Sequence, residues 1–184
     1  NRFPAALAAY EGWIERMPGD SAAELAHATT LAWAGRLDEA EARYAALAQR
    51  VGSVGAERGV ARVTGWRGDL ARSERLWRAI TDRHPDDVES WIGLAQVQRW
   101  AGRPQSADSS LRRALALAPT SVEAREQWEQ LRADRAGVAE PSGLRTHDSD
   151  GNRMTTWSVT ARGRAEGPLR LRLTGTRREA TFLA

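Results

Sequence analysis

A tryptophan two residues before a glycine recurs at the same point of three successive stretches of this chain, in Trp33-Ala34-Gly35, Trp66-Arg67-Gly68 and Trp100-Ala101-Gly102. The spacings are 33 and 34 residues. Self-similarity at this period is the mark of stacked helix–turn–helix units, each too small to bury its apolar face alone. Such units bury that face against their neighbours, so the chain needs no single large core. The period therefore predicts an all-α solenoid, and with it a binding scaffold, not a catalyst.

The clearest unit runs from Val88 to Ser121. Trp91, Leu94 and Ala95 share one face of a first helix, Gly102 breaks it, and Ala107, Leu111 and Ala114 form the face of a second. Pro119 closes the unit, because proline disfavours a helical conformation in the residue before it. One period earlier, Val54–Asp87 places Val60, Ala61, Gly68, Ser73, Trp77, Ile80 and Pro85 in equivalent positions. One more gives Ser21–Ser53, with Gly35, Ala40, Tyr44 and Leu47. Ala6, Tyr10, Trp13 and Pro18 match only the second helix of a unit, so the chain reads as starting mid-repeat, as a truncated start would. After Ser121, Ala124, Trp128 and Leu131 predict a terminal helix over about 122–135. It would cover the last repeat's apolar face, with its charged residues solvated.

These residues resemble the tetratricopeptide repeat family over about residues 1–135, giving some three and a half repeats and a terminal helix. Glu24 and Glu57 depart from the pattern, where a large residue is usual, and Gly52 stands for the closing proline. The resemblance implies that first helices line a concave groove. By it, the groove-facing residues are Leu25, Thr29, Ala32 and Trp33, then Arg58, Arg62, Gly65 and Trp66, then Glu89, Ile92, Gln96, Arg99 and Trp100. Trp33, Trp66 and Trp100 with Arg58, Arg62, Arg99 and Gln96 would make an aromatic, basic surface. Indole faces stack on sugars or apolar side chains and guanidinium forks hold carboxylates. A polyanionic saccharide, or a protein segment such as an acidic peptide, would suit it. The same tryptophans also suit a packing role, as wedges between adjacent repeats. Trp13, Trp77, Trp91 and Trp128 fall at core positions.

From Ala136 the helical period stops, and Gly137, Pro141, Ser142 and Gly143 read as a linker over 136–151. Then Thr155, Trp157, Val159 and Ala161 alternate with Thr156, Ser158, Thr160 and Arg162, and Leu169, Leu171 and Leu173 alternate with Arg170, Arg172 and Thr174. A period of two predicts strands, hence a small C-terminal β-hairpin within 152–184, with a third short run near Ala180–Leu183. Two or three strands with one apolar face are not independently stable and need a cover. The Trp-x-Gly repeats, the linker and the Asp148-Ser149-Asp150-Gly151-Asn152 run before amphipathic strands resemble the bacterial YaiO-type outer-membrane proteins. That resemblance implies a periplasmic repeat region leading into a membrane β-barrel. The alternative reading is an accessory subunit of a larger assembly, whose hairpin adds strands to a partner's sheet edge.

Composition excludes little beyond this. No cysteine is present, so neither a disulfide nor a thiolate metal site is available. All 27 basic residues are arginine, and residues 1–135 hold equal numbers of Arg and of Asp plus Glu, so the net +3 sits in the tail. That is too weak and mixed for a nucleic-acid stripe. Asp148, Asp150 and Asn152 have the alternate spacing of a calcium loop but lack its later liganding acid, and an Asx-rich turn accounts for them as well. His27, His84 and His147 have no partner at metal-ligand spacing, and no catalytic set or phosphate loop stands out. The sequence predicts no enzyme and no cofactor.

Overall fold

The computed structural model describes residues 3–135, 138–147, 153–164 and 168–179. Its helices are α1 (Phe3–Arg16), α2 (Ser21–Trp33), α3 (Leu37–Val51), α4 (Val54–Trp66), α5 (Leu70–Arg83), α6 (Val88–Trp100), α7 (Pro104–Leu117) and α8 (Val122–Arg135). Three strands follow: β1 (Val138–His147), β2 (Arg153–Arg164) and β3 (Pro168–Glu179). The chain divides into two compact units at Trp128 and Glu129, inside α8 and not after it.

The Trp-x-Gly motif is a helix terminator with a defined geometry. Gly35, Gly68 and Gly102 all lie in the left-handed region, at φ 79°, 90° and 72°. Each is followed by an amide that donates back over five residues: Arg36 to the Leu31 carbonyl, Asp69 to Thr64 and Arg103 to Gln98. Those bonds satisfy carbonyls that the helix end leaves free, and the left-handed turn favours glycine because a Cβ is strained there. The next helix opens on its own signal. Asp20 accepts from the amides of Ala22 and Ala23, Ser53 from Ala56, and Asp69 from Arg72.

Between repeats, an aromatic ring of a second helix lies on a glycine of the next first helix. A Cβ placed on Gly59 of α4 would come within 2.5 Å of the Tyr44 ring of α3, and one on Gly93 of α6 within 2.5 Å of the Trp77 indole of α5. Tyr44 and Trp77 are buried. Around them run continuous apolar clusters, Leu31, Tyr44, Leu47 and Val63 in one and Ala61, Trp77, Ile80, Leu94 and Val97 in the next. Ala124 of α8 joins Ile92 and Ala114, so the start of the terminal helix covers the last repeat as expected. Trp91 and Trp128 are half-buried, with indole N–H groups donating to the Pro85 carbonyl and to Asp108. Trp13 is a correction to the expected core. It is 47% exposed, because α1 turns it outward to donate to the capping Asp20.

The two departures at Glu24 and Glu57 have a structural reason. Glu24 accepts from Arg50 at 2.5 Å, and Glu57 from both arms of the Arg83 guanidinium at 2.6 and 2.9 Å. Both pairs span 26 residues, from the start of a first helix to the end of the second. An ion pair thus closes the first two helix pairs where Trp91 packs in the third.

In the second unit the strands form an antiparallel sheet in the order β1-β2-β3. Strand β1 occupies most of the segment that reads as a linker, with Pro141 opposite Val159 and Gly143 opposite Trp157. It is an edge strand, a setting in which a sheet tolerates proline. Val159 also faces Leu173, and Trp157 faces Gly175, whose missing side chain leaves room for the indole. The alternation therefore matches in register and puts Trp157, Val159 and Leu173 on one face. On the other face the Ser142 and Ser158 hydroxyls share a hydrogen bond of 2.7 Å. Trp157 and Leu173 remain over half exposed. The run near Ala180–Leu183 and the Asp148, Asp150 and Asn152 loop lie outside the described residues.

Candidate functional site

Within the solenoid α2 meets α4 and α4 meets α6, whereas α3 does not meet α5, nor α5 α7, among the described elements. First helices that touch while second helices splay put the first helices on the inner side of the curve. On that side an open cleft of about 440 Å³ is lined by Trp33, Arg62, Trp66, Glu89, Ile92, Gly93, Gln96 and Glu123. Four of the seven sequence-predicted contact residues meet there: Trp33, Arg62, Trp66 and Gln96.

The tryptophans divide by environment. Trp33 is 65% exposed and Trp66 39%, and both present indole surface to the cleft. Trp100 does not line it. Its ring is 41% exposed and approaches Gly65 of α4, where a Cβ would stand 3.4 Å from Cζ3. Sequence position makes the three equivalent. The next repeat's packing separates them.

The arginines divide too. Arg58 is half-buried, with Nη1 2.9 Å from Asp87 Oδ1 and 2.8 Å from Glu89 Oε2. One guanidinium engaged by two carboxylates is already neutralised before any anionic ligand arrives. Arg99 is half-buried and does not line the cleft. Arg62 makes no ion pair among the described residues and lies near the Tyr44 phenol. That phenol donates to Thr29 Oγ1 at 2.8 Å, and Thr29 donates in turn to the Leu25 carbonyl. Burial pushes the Tyr44 phenol above its ordinary value, so it stays a neutral donor and the floor beneath Arg62 carries no charge.

The expected basic groove is therefore not what the side chains build. Its lining holds one guanidinium, Arg62 on α4, opposite two carboxylates, Glu89 on α6 and Glu123 on α8. Arg58 and Asp87, which join Glu89 in one ion-pair group, cancel each other, so the net charge of the lining stays at minus one. The helical pattern makes Glu123 a solvated residue of the terminal helix, although it lies one 34-residue period after Glu89, and extending the repeat by one step places it.

Elsewhere, His27 is fully buried with neither ring nitrogen hydrogen-bonded, and Glu11 stands 3.6 Å from its Nε2. Burial holds the imidazole below its ordinary value, and Arg43 adds to this against the opposing pull of Glu11. No group of three or more metal-ligating side chains exists among the described residues. No helix there is long and apolar enough to cross a membrane.

No family model and no curated protein matches the chain. Solved structures do. A thermophilic tetratricopeptide protein of Thermus thermophilus is 21% identical, with 72% of this chain and 74% of that one covered at a TM-score of 0.65. MamA of Desulfovibrio magneticus RS-1 is 13% identical, covering 72% and 76% at 0.57. The first tetratricopeptide domain of Spaghetti, solved bound to an HSP90 peptide, is 13% identical, covering 61% and 90% at 0.55. At these identities the likeness is one of architecture, and it establishes the helical unit as a tetratricopeptide-type solenoid.

Proposed function

We propose that this protein is a non-enzymatic scaffold that holds an extended segment of a partner protein in the inner cleft of its solenoid. The observation that carries this is the convergence of Trp33, Arg62, Trp66 and Gln96 on one open cleft. Exposed indoles offer large contact area at small conformational cost, and unpaired planar donors fix orientation. A similar solenoid was solved with a peptide bound, which supports a peptide-like occupant here. A polyanionic saccharide is the poorer complement, because two carboxylates face it against one guanidinium.

A photo-crosslinking residue at Gln96 in the producing cell tests this. It should give a discrete adduct that disappears in the Trp33→Ala, Trp66→Ala double variant, while a crosslinker at Arg113 on α7 does not give it. Helicity should be unchanged, since Trp33 is 65% and Trp66 39% exposed and neither belongs to the buried core. An adduct indifferent to the double variant, or a loss of helicity, overturns the reading in favour of packing.

The sheet favours a second, compatible role. Trp157 and Leu173 leave apolar surface uncovered on a sheet of three strands among the described residues. Together with the outer-membrane resemblance, this supports a periplasmic protein attached to a membrane barrel, or to a partner's sheet, through residues 152–184. Recovery in the soluble fraction with no partner attached would refute it.

A further inference from the structure

The cleft's charges are not only mixed but sorted. Its cation, Arg62, is on α4 beside the two indoles of α2 and α4, and its carboxylates, Glu89 and Glu123, are on α6 and α8. Among the described residues, no carboxylate lining the cleft comes from α2 or α4, and no arginine lining it comes from α6 or α8. Glu89 has a partner in Arg58, but that guanidinium is shared with Asp87, so the group stays negative by one charge. Glu123 is exposed and, among the described residues, meets the Gln127 amide at 3.4 Å and no cation. Gln96 of α6 lines the same cleft, and its amide offers both donors and an acceptor and makes no hydrogen bond among the described residues.

We infer that the cleft reads the direction of its partner: it selects a segment of mixed charge, acidic where it passes α2–α4 and basic where it passes α6–α8, with an apolar or aromatic residue on the Trp33–Trp66 indoles. This rests on the scaffold reading above and gives it a chemistry. A uniformly acidic segment satisfies Arg62 but meets two carboxylates further on, and a uniformly basic one does the reverse. Reversing the segment's charges misplaces both ends at once. Electrostatic complementarity of this kind acts through register and rejection of wrong partners more than through raw affinity.

Selection of random twelve-residue peptides displayed against the full chain tests the inference without presupposing a partner. The enriched peptides should carry an acidic and a basic residue in one consistent order, flanking an aromatic residue. Arg62→Glu should abolish the acidic preference and keep the basic one, and Glu123→Arg should do the opposite. Each reversal should weaken a selected peptide by about three- to tenfold, as expected when a partly exposed charge pair is lost and replaced by repulsion. Peptides enriched for one sign only, or with both charge orders equally frequent, overturn the directional reading while leaving the cleft as the binding site. Enrichment that survives Trp33→Ala, Trp66→Ala places binding elsewhere, and an absence of enriched peptides refutes segment binding itself.

Discussion

Replacing Gly93 with alanine separates two effects of opposite sign. In the middle of a helix, alanine is favoured over glycine by about 1 kcal/mol. At Gly93 the added Cβ would stand 2.5 Å from two carbons of the Trp77 indole, where carbon atoms normally rest about 3.5–4.0 Å apart. The indole is 2% exposed and packed on every side, so it has nowhere to withdraw. Overpacking of this kind costs about 1–3 kcal/mol, which outweighs the helical gain and leaves the variant destabilised by up to about 2 kcal/mol. Gly12 of α1 is the control, because nothing lies within 4 Å of its Cβ position. Gly12→Ala should raise the melting temperature by about 2–4 °C in a chain of this size. Thermal unfolding followed by circular dichroism at about 222 nm, the helical band, reads both. The decisive version adds Trp77→Ala: with the indole gone, Gly93→Ala should change sign and stabilise. If Gly93→Ala raises the melting temperature as Gly12→Ala does, the aromatic-on-glycine lock between repeats is wrong.

Two further outcomes are expected. His27 is held below its ordinary value near 6.5, so between the folded and unfolded values the unfolded chain binds the extra proton. Stability should therefore be full above about pH 7 and decline as the pH falls through about 6.5, with urea midpoints in His27→Leu losing most of that dependence between about pH 7.5 and 5. The Glu57–Arg83 pair is about half exposed on its arginine side, so a double-mutant cycle with Glu57→Gln and Arg83→Gln should give a coupling of about 0.2–1 kcal/mol, reduced in about 1 M salt. A coupling near zero would mean that the pair does not stand in for the packing of Trp91.

Much of the helical unit is legible in sequence because its signals are local and repeat. Gly35, Gly68 and Gly102, each two residues after a tryptophan, mark left-handed helix ends one period apart, and Asp20, Ser53 and Asp69 cap through amides two or three residues away. The site is legible only in part. Trp66 and Trp100 are indistinguishable in sequence, yet one lines the cleft and the other rests on Gly65. Strand β1 is hidden because Pro141, Ser142 and Gly143 carry turn chemistry, and pairing with β2 overrides it at a sheet edge.

What the sequence alone determined, then, is the period, the helix ends and the alternation of β2 and β3, each encoded within a few residues or one repeat. Tertiary structure decided which aromatic residues pack and which face solvent, and that Arg58 is engaged by Asp87 and Glu89 while Arg62 faces the cleft. It also decided that the groove carries both signs of charge rather than being basic. The physical reason is common to all three. Exposure and ion pairing are set by which side chains from other helices come within a few ångströms, and those neighbours lie about one repeat away, where no local pattern records them.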